Sequence, residues 1–137
     1  MKTIDAAERP PIHMIEDEAD KLAELAVAVK ERLPLVSQLL LEEITRATTY
    51  NKTEIPNDVV TMGATVEFVD EVRDVRHVLQ LVYPAQADIS QGRISILTPV
   101  GAGLIGLRPG QSIMWPDQRG EEHRLTVARV TPAKSEP

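Results

Sequence analysis

The sequence predicts an α+β fold in which a short antiparallel helical hairpin precedes a mostly antiparallel β-sheet domain carrying one short helix. Three observations support this. Apolar residues between Ile15 and Ala47 recur in steps of three and four, the spacing of a helix that buries one stripe. Beyond residue 60 the period shortens to two, in runs of four to eight residues that suit half-buried strands. Between these regimes, residues 51 to 58 (Asn-Lys-Thr-Glu-Ile-Pro-Asn-Asp) are polar, contain a proline and follow neither period.

The first helix carries Ile15, Ala19, Leu22, Ala26 and Val29 on its apolar stripe. Glu16, Asp17, Glu18 and Asp20 load its first turns with negative charge, which suits the positive end of the helix dipole. The second begins around Leu33-Pro34, where proline fits the first turn, and its stripe is Leu33, Val36, Leu40, Ile44 and Ala47. Glu42 and Glu43 are expected on its outer face. Lys30, Glu31 and Arg32 remain to form the tip, and arms of ~15 residues reach ~22 Å at 1.5 Å per residue. The expected organisation is residues 1–50 for the N-terminal segment and hairpin, 51–60 for a linker and 61–137 for the sheet domain.

Five strands are expected in that domain: Thr65–Val69, His77–Tyr83, Arg93–Leu97, Ser112–Trp115 and His123–Val130. Val66 and Phe68, and Leu79, Leu81 and Tyr83, supply inner faces. Pro116-Asp117-Gln118-Arg119-Gly120 reads as the turn of a hairpin joining the last two strands.

Between the third and fourth strands lies Thr98-Pro99-Val100-Gly101-Ala102-Gly103-Leu104-Ile105-Gly106, whose glycines spell G-x-G-x-x-G after a strand. A dinucleotide-binding turn with that pattern needs a long following helix. Arg108-Pro109-Gly110 forbids one, because Pro109 lacks a backbone donor and Gly110 favours positive φ. The segment instead reads as a capped short helix, with Thr98 as N-cap, Pro99 in the first turn and Gly106 as terminator.

Composition narrows the chemistry. The 137 residues include no cysteine, which excludes disulfides, thiolate metal sites and a cysteine nucleophile. The net charge is −6; residues 1–50 hold six basic and ten acidic side chains and the remainder nine and eleven, so neither part has the basic excess of a phosphate-backbone binder. Arg73, Arg76 and Arg93 are the candidates for a local basic patch. The four aromatics, Tyr50, Phe68, Tyr83 and Trp115, make any stacking platform sparse. No apolar run approaches the ~18 residues of a membrane span, and the first residues lack an apolar signal core, so the cytoplasm is the expected location. His13, His77 and His123 show no ligand spacing and are expected at solvent-facing or sheet-edge positions. No nucleophile elbow or phosphate-loop lysine is present, so neither catalytic residues nor a cofactor or metal site is expected. At the tip a lone Glu31 between Lys30 and Arg32 is a poor set of ligands for a divalent cation, which usually takes one or two carboxylates plus waters and phosphates.

Ile94 to Gly106, with its strand, Thr-Pro pair and Leu-Ile-Gly ending, resembles the C-terminal domain of the bacterial Gre transcription elongation factor family, GreA/GreB. Pro56-Asn57-Asp58-Val59-Val60-Thr61-Met62 and Leu81-Val82-Tyr83-Pro84-Ala85 are similar to its Rnk-type branch, the regulators of nucleoside diphosphate kinase. The resemblance covers roughly residues 12 to 131. It implies a coiled-coil hairpin followed by a domain like that of FK506-binding proteins (FKBP-like), and binding to RNA polymerase at the rim of its secondary channel. It also implies that Thr98 and Pro99 contribute to docking. Gre cleavage relies on acidic tip residues that help hold a metal; here the tip has Glu31 alone and the arm is shorter. The expected protein is therefore a non-catalytic regulator that competes with active Gre factors. Two other readings are an FKBP-like prolyl isomerase and a direct modulator of nucleoside diphosphate kinase or nucleotide pools.

Overall fold

The computed structural model describes residues 10–116 and 119–133. It is an α+β fold with element order β1 (His13–Ile15), α1 (Glu16–Ala28), α2 (Pro34–Arg46), β2 (Thr48–Tyr50), β3 (Thr65–Asp70), β4 (Val75–Val82), β5 (Arg93–Ser95), α3 (Pro99–Leu104), β6 (Ser112–Pro116) and β7 (Glu122–Thr131).

Helices α1 and α2 pack on each other across the expected stripes, burying Ala19, Leu22 and Ala26 on one and Val36 and Leu40 on the other, with Leu39, outside the expected stripe, buried as well. Glu16, Asp17 and Glu18 occupy the first turn of α1, and Pro34 that of α2. The tip turn spans residues 29–33, and Leu33 donates its N–H back to the Val29 carbonyl at 2.7 Å. Each helix has 13 residues, about 20 Å at 1.5 Å per residue.

Two features at the base of the helix pair had no counterpart in the sequence reading. β1 and β2 run parallel, with His13 opposite Thr48 and Ile15 opposite Tyr50. Three-residue strands without alternation carry too little pattern to be read beforehand. Glu43, expected on the outer face of α2, has no exposed surface. Arg46 grips it with both arms of its guanidinium, Nε to Oε2 at 2.9 Å and Nη2 to Oε1 at 2.7 Å, and donates from Nη1 to the Pro10 carbonyl at 2.6 Å. Two contacts account for the difference: Arg46, which the Pro10 carbonyl holds on that side of α2, lies over Glu43, and an i,i+3 arginine makes a buried carboxylate tolerable. Glu42 does face outward, accepting a hydrogen bond from Gln38 at 3.2 Å.

The second half forms a five-stranded sheet of order β5-β4-β3-β7-β6, antiparallel except where β5 joins β4 in parallel. The five strands fall where alternation placed them, although the third ends at Ser95 and residues 96–97 turn into α3. The expected turn at residues 116–120 lies partly outside the described residues, but β6 and β7 on either side of it pair as an antiparallel hairpin. Between β3 and β7 the register shifts, so that Glu67 faces Arg129 while Phe68 faces Val127, leaving Ala128 as an extra residue. A bulge of this kind reverses which face the rest of the strand presents. It brings Val127, Leu125 and His123 onto the same face as Val66, Phe68 and Asp70.

One cluster of buried side chains runs from Leu22 and Leu40 in the helix pair through Val60 and Leu107 to Phe68, Ile113 and Trp115 under the sheet. Full burial of each such Leu, Ile or Phe contributes about 1.5–3 kcal/mol. Of the expected linker, residues 51–54 are exposed, whereas Val59 and Val60 are buried. Val60 is held to the end of α3 by backbone bonds in both directions, donating to Leu107 and accepting from Gly106, each at 2.9 Å.

Candidate functional site

The site grows from the segment after β5. The Thr98 hydroxyl accepts the Gly101 N–H at 3.0 Å and donates to the Ser95 carbonyl at 2.8 Å, so it both caps α3 and fixes the incoming chain. Pro99 takes the first turn and is buried. Gly101 packs so closely that a Cβ would lie 2.3 Å from the Ser95 carbonyl oxygen, and one on Gly103 would lie 3.0 Å from three atoms of the Trp115 ring. Gly106 has φ +85°, and a Cβ there would meet Ile12 at 2.9 Å and the His13 carbonyl oxygen at 3.1 Å. All three glycines of the G-x-G-x-x-G pattern are thus filled by protein, leaving no cradle for a phosphate.

Fixed in this way, α3 points Val100 into a cavity of about 270 Å³ whose lining includes Trp115, Pro116 and Leu125, together with Asp70, Arg73, His77 and His123. Trp115 is 2% exposed and forms the inner wall. At one side sits a buried pair: His123 Nδ1 lies 2.8 Å from Asp70 Oδ2, with the residues 6% and 8% exposed. The second carboxylate oxygen of Asp70 accepts the N–H groups of Val72 at 3.1 Å and Arg73 at 3.2 Å. Burial by itself pushes the Asp70 carboxyl up, but the Arg73 N–H, the His123 ring and the Val72 N–H together outweigh it and hold it below its usual 3.8. The ionised carboxylate makes Nδ1–H of His123 the donor in this bond.

The three histidines therefore differ in environment. His13 shares a 2.9 Å hydrogen bond with the Tyr50 hydroxyl, and His77 stacks on Phe68 with ring centroids 5.1 Å apart. His123 corrects the expectation of a solvent-facing or sheet-edge ring. The cause is the β7 bulge, which turns it inward opposite a carboxylate 53 positions away. Neither the bulge nor that long-range pairing leaves a local signal in the sequence. Of the arginines considered as a patch, Arg76 pairs with Glu67, Arg93 lies on β5, and Arg73 lines the cavity. Among the described residues no three His, Asp or Glu side chains come together as metal ligands. No described helix is long and apolar enough to cross a membrane.

Lys30, Glu31 and Arg32 occupy the tip turn, all exposed. Thr98 and Pro99 lie beside the cavity rather than in it: the hydroxyl of one is engaged internally and the ring of the other is buried. What they contribute to this surface is the placement of Val100.

Comparison with known proteins agrees with this architecture. The family model described as the C-terminal domain of transcription elongation factor GreA/GreB matches residues 55–132. The chain is similar to a regulator of nucleoside diphosphate kinase from Escherichia coli (strain K12), 41% identical over 95 residues that cover 69% of this chain and 70% of that protein. It is also similar to a transcription elongation factor GreA from Rhodospirillum rubrum, 31% identical over 121 residues, covering 82% of this chain and 77% of that one. Among solved structures, a prokaryotic transcription elongation factor GreA/GreB from Nitrosomonas europaea superposes with a TM-score of 0.69 at 37% identity, covering 90% of this chain and 99% of that one. A sheet domain matched over residues 55–132, a helix pair in front of it and relatives of these two names together place the chain in the GreA/GreB family of transcription elongation factors.

Proposed function

We propose that this protein binds RNA polymerase near its secondary channel as a non-catalytic regulator and competes there with Gre factors that stimulate transcript cleavage. Its FKBP-like sheet domain docks, while the helix pair occupies space at the channel entrance. The observation that carries the reading is the tip: a five-residue turn whose only carboxylate, Glu31, stands between Lys30 and Arg32. One carboxylate flanked by two cations is a poor ligand set for magnesium, because the neighbouring positive charges oppose a divalent cation. Family membership supports RNA polymerase as the docking partner, and the α3 region is consistent with a surface for it, since Thr98 and Pro99 fix the segment from which Val100 faces the cavity.

Capture of core RNA polymerase by the full chain, with a cleavage assay stimulated by a Gre factor, tests this. Binding is expected, with cleavage falling as the protein is added. Absence of binding at micromolar protein and moderate salt overturns the proposal. The name of the Escherichia coli relative suggests a direct action on nucleoside diphosphate kinase; titration of that enzyme in the same series is expected to show no complex.

A further inference from the structure

The cavity beside α3 has a chemistry more specific than a general docking surface. About 270 Å³ is below the ~300–1,000 Å³ of pockets that enclose whole small molecules; it suits one or two side chains. Its walls are Val100, Trp115, Pro116 and Leu125. Trp115 and Leu125, 2% and 3% exposed, form its floor and leave no ring face for a base to stack on, while Val100 and Pro116 are its accessible apolar rim. The polar groups are unequally engaged. Asp70 has donors on both carboxylate oxygens. Glu71, next in the chain, accepts a hydrogen bond from the Thr126 hydroxyl. Arg73 lines the cavity with no side-chain partner among the described residues, so its guanidinium is the charge offered to a ligand.

We propose that this cavity takes a bulky apolar side chain of a protein partner that carries a carboxylate at an adjoining position, with the side chain held between Val100 and Pro116 above the floor of Trp115 and Leu125 and the carboxylate paired with Arg73. An apolar anchor in a desolvated pocket beside a charge-assisted hydrogen bond is the arrangement that concentrates binding energy in few residues. The inference rests on the docking role proposed above and specifies the chemistry of what is docked.

The test uses the full chain labelled with ¹⁵N and two probes, N-acetyl-Leu-Asp-amide and N-acetyl-Leu-Lys-amide. Shifts of the Trp115, Val100 and Leu125 signals are expected with both, and the acidic probe is expected to bind about fivefold more tightly, the factor of a partly exposed ion pair. Arg73→Glu, an exposed substitution that leaves the core intact, is expected to reverse that preference. No shifts at these residues, or equal binding of the two probes, overturns the proposal. Core polymerase capture by the same two proteins separates this from the docking reading. Weaker capture by Arg73→Glu supports both. Failure of the unsubstituted chain to capture polymerase, with probe selectivity intact, sinks the docking reading alone.

Discussion

The indole of Trp115 lies directly against Gly103: a Cβ at that glycine would stand 3.0 Å from each of three ring atoms, equidistant and hence over the face of the five-membered ring. Gly103→Ala therefore forces the ring or α3 to move. Such overpacking is expected to cost about 1–3 kcal/mol, measured by urea unfolding. Because the wall of the cavity shifts as well, Trp115 fluorescence in the folded state is expected to change. Wild-type stability in this variant would refute the contact.

The Asp70–His123 pair makes a pH prediction. Asp70 has a folded pKa below its ordinary 3.8, so the folded state binds this proton less readily than the unfolded state. Its contribution is present above the unfolded pKa and is lost as pH falls, from about pH 5 downward. Asp70→Asn is expected to cost about 1–3 kcal/mol at neutral pH, with the difference from wild type shrinking toward pH 3. A difference that stays constant over that range would refute it.

Glu18 has the opposite sign. It accepts the Met62 N–H at 3.0 Å across the junction of α1 and the sheet domain. Burial lifts its carboxyl above 4.5, and the Met62 bond and Lys52 offset that only in part. A raised folded pKa means that the group's contribution is fully present below 4.5 and is lost as pH rises through the folded value. Glu18→Gln keeps an acceptor for Met62 and removes this dependence. It is expected to be more stable than wild type at pH 7, with the gain vanishing toward pH 4.

Arg46 donates two hydrogen bonds to a carboxylate with no exposed surface and a third to the Pro10 carbonyl. Arg46→Met keeps the stem but takes those donors from Glu43, and is expected to cost about 3 kcal/mol. The double variant Glu43→Leu, Arg46→Met is expected to regain most of that loss, as removal of a whole buried pair often does. Chemical denaturation of the four proteins in the cycle measures it.

Thr98→Ala removes the α3 cap and is expected to cost about 1 kcal/mol, whereas Thr98→Ser keeps it. If Thr98 acts in docking by placing Val100, polymerase capture follows the same order. Capture lost equally in both variants would instead assign the Thr98 methyl a direct contact.

What the sequence made legible was what depends on neighbours in the chain. The stripes of α1 and α2, the Leu33-Pro34 start, the Thr98 cap and the stop at Gly106 are all set within a few residues. The locations of the five strands were legible for the same reason. The buried Glu43, the inward His123 and the parallel β1–β2 pair were not, because each involves a segment distant in sequence: Pro10, which anchors Glu43's partner Arg46, Asp70 across the Ala128 bulge for His123, and Thr48–Tyr50 for β1. The candidate site divides the same way. Local rules found the turn holding Val100, while its combination with Arg73, Trp115 and the Asp70–His123 pair is a product of the sheet.

The residues around β1 reach far along the chain: Ile12 accepts the Thr48 N–H at 3.0 Å, and His13 donates to the Gly106 carbonyl at 3.1 Å. During synthesis the first of these strands leaves the ribosome long before its last partner. Helices α1 and α2 can pair as soon as residue 46 is out, but their seat is completed only when Gly106 has emerged. A nascent chain halted before that point lacks the Gly106 partner of His13, so resistance to a protease at β1 is expected only late in translation.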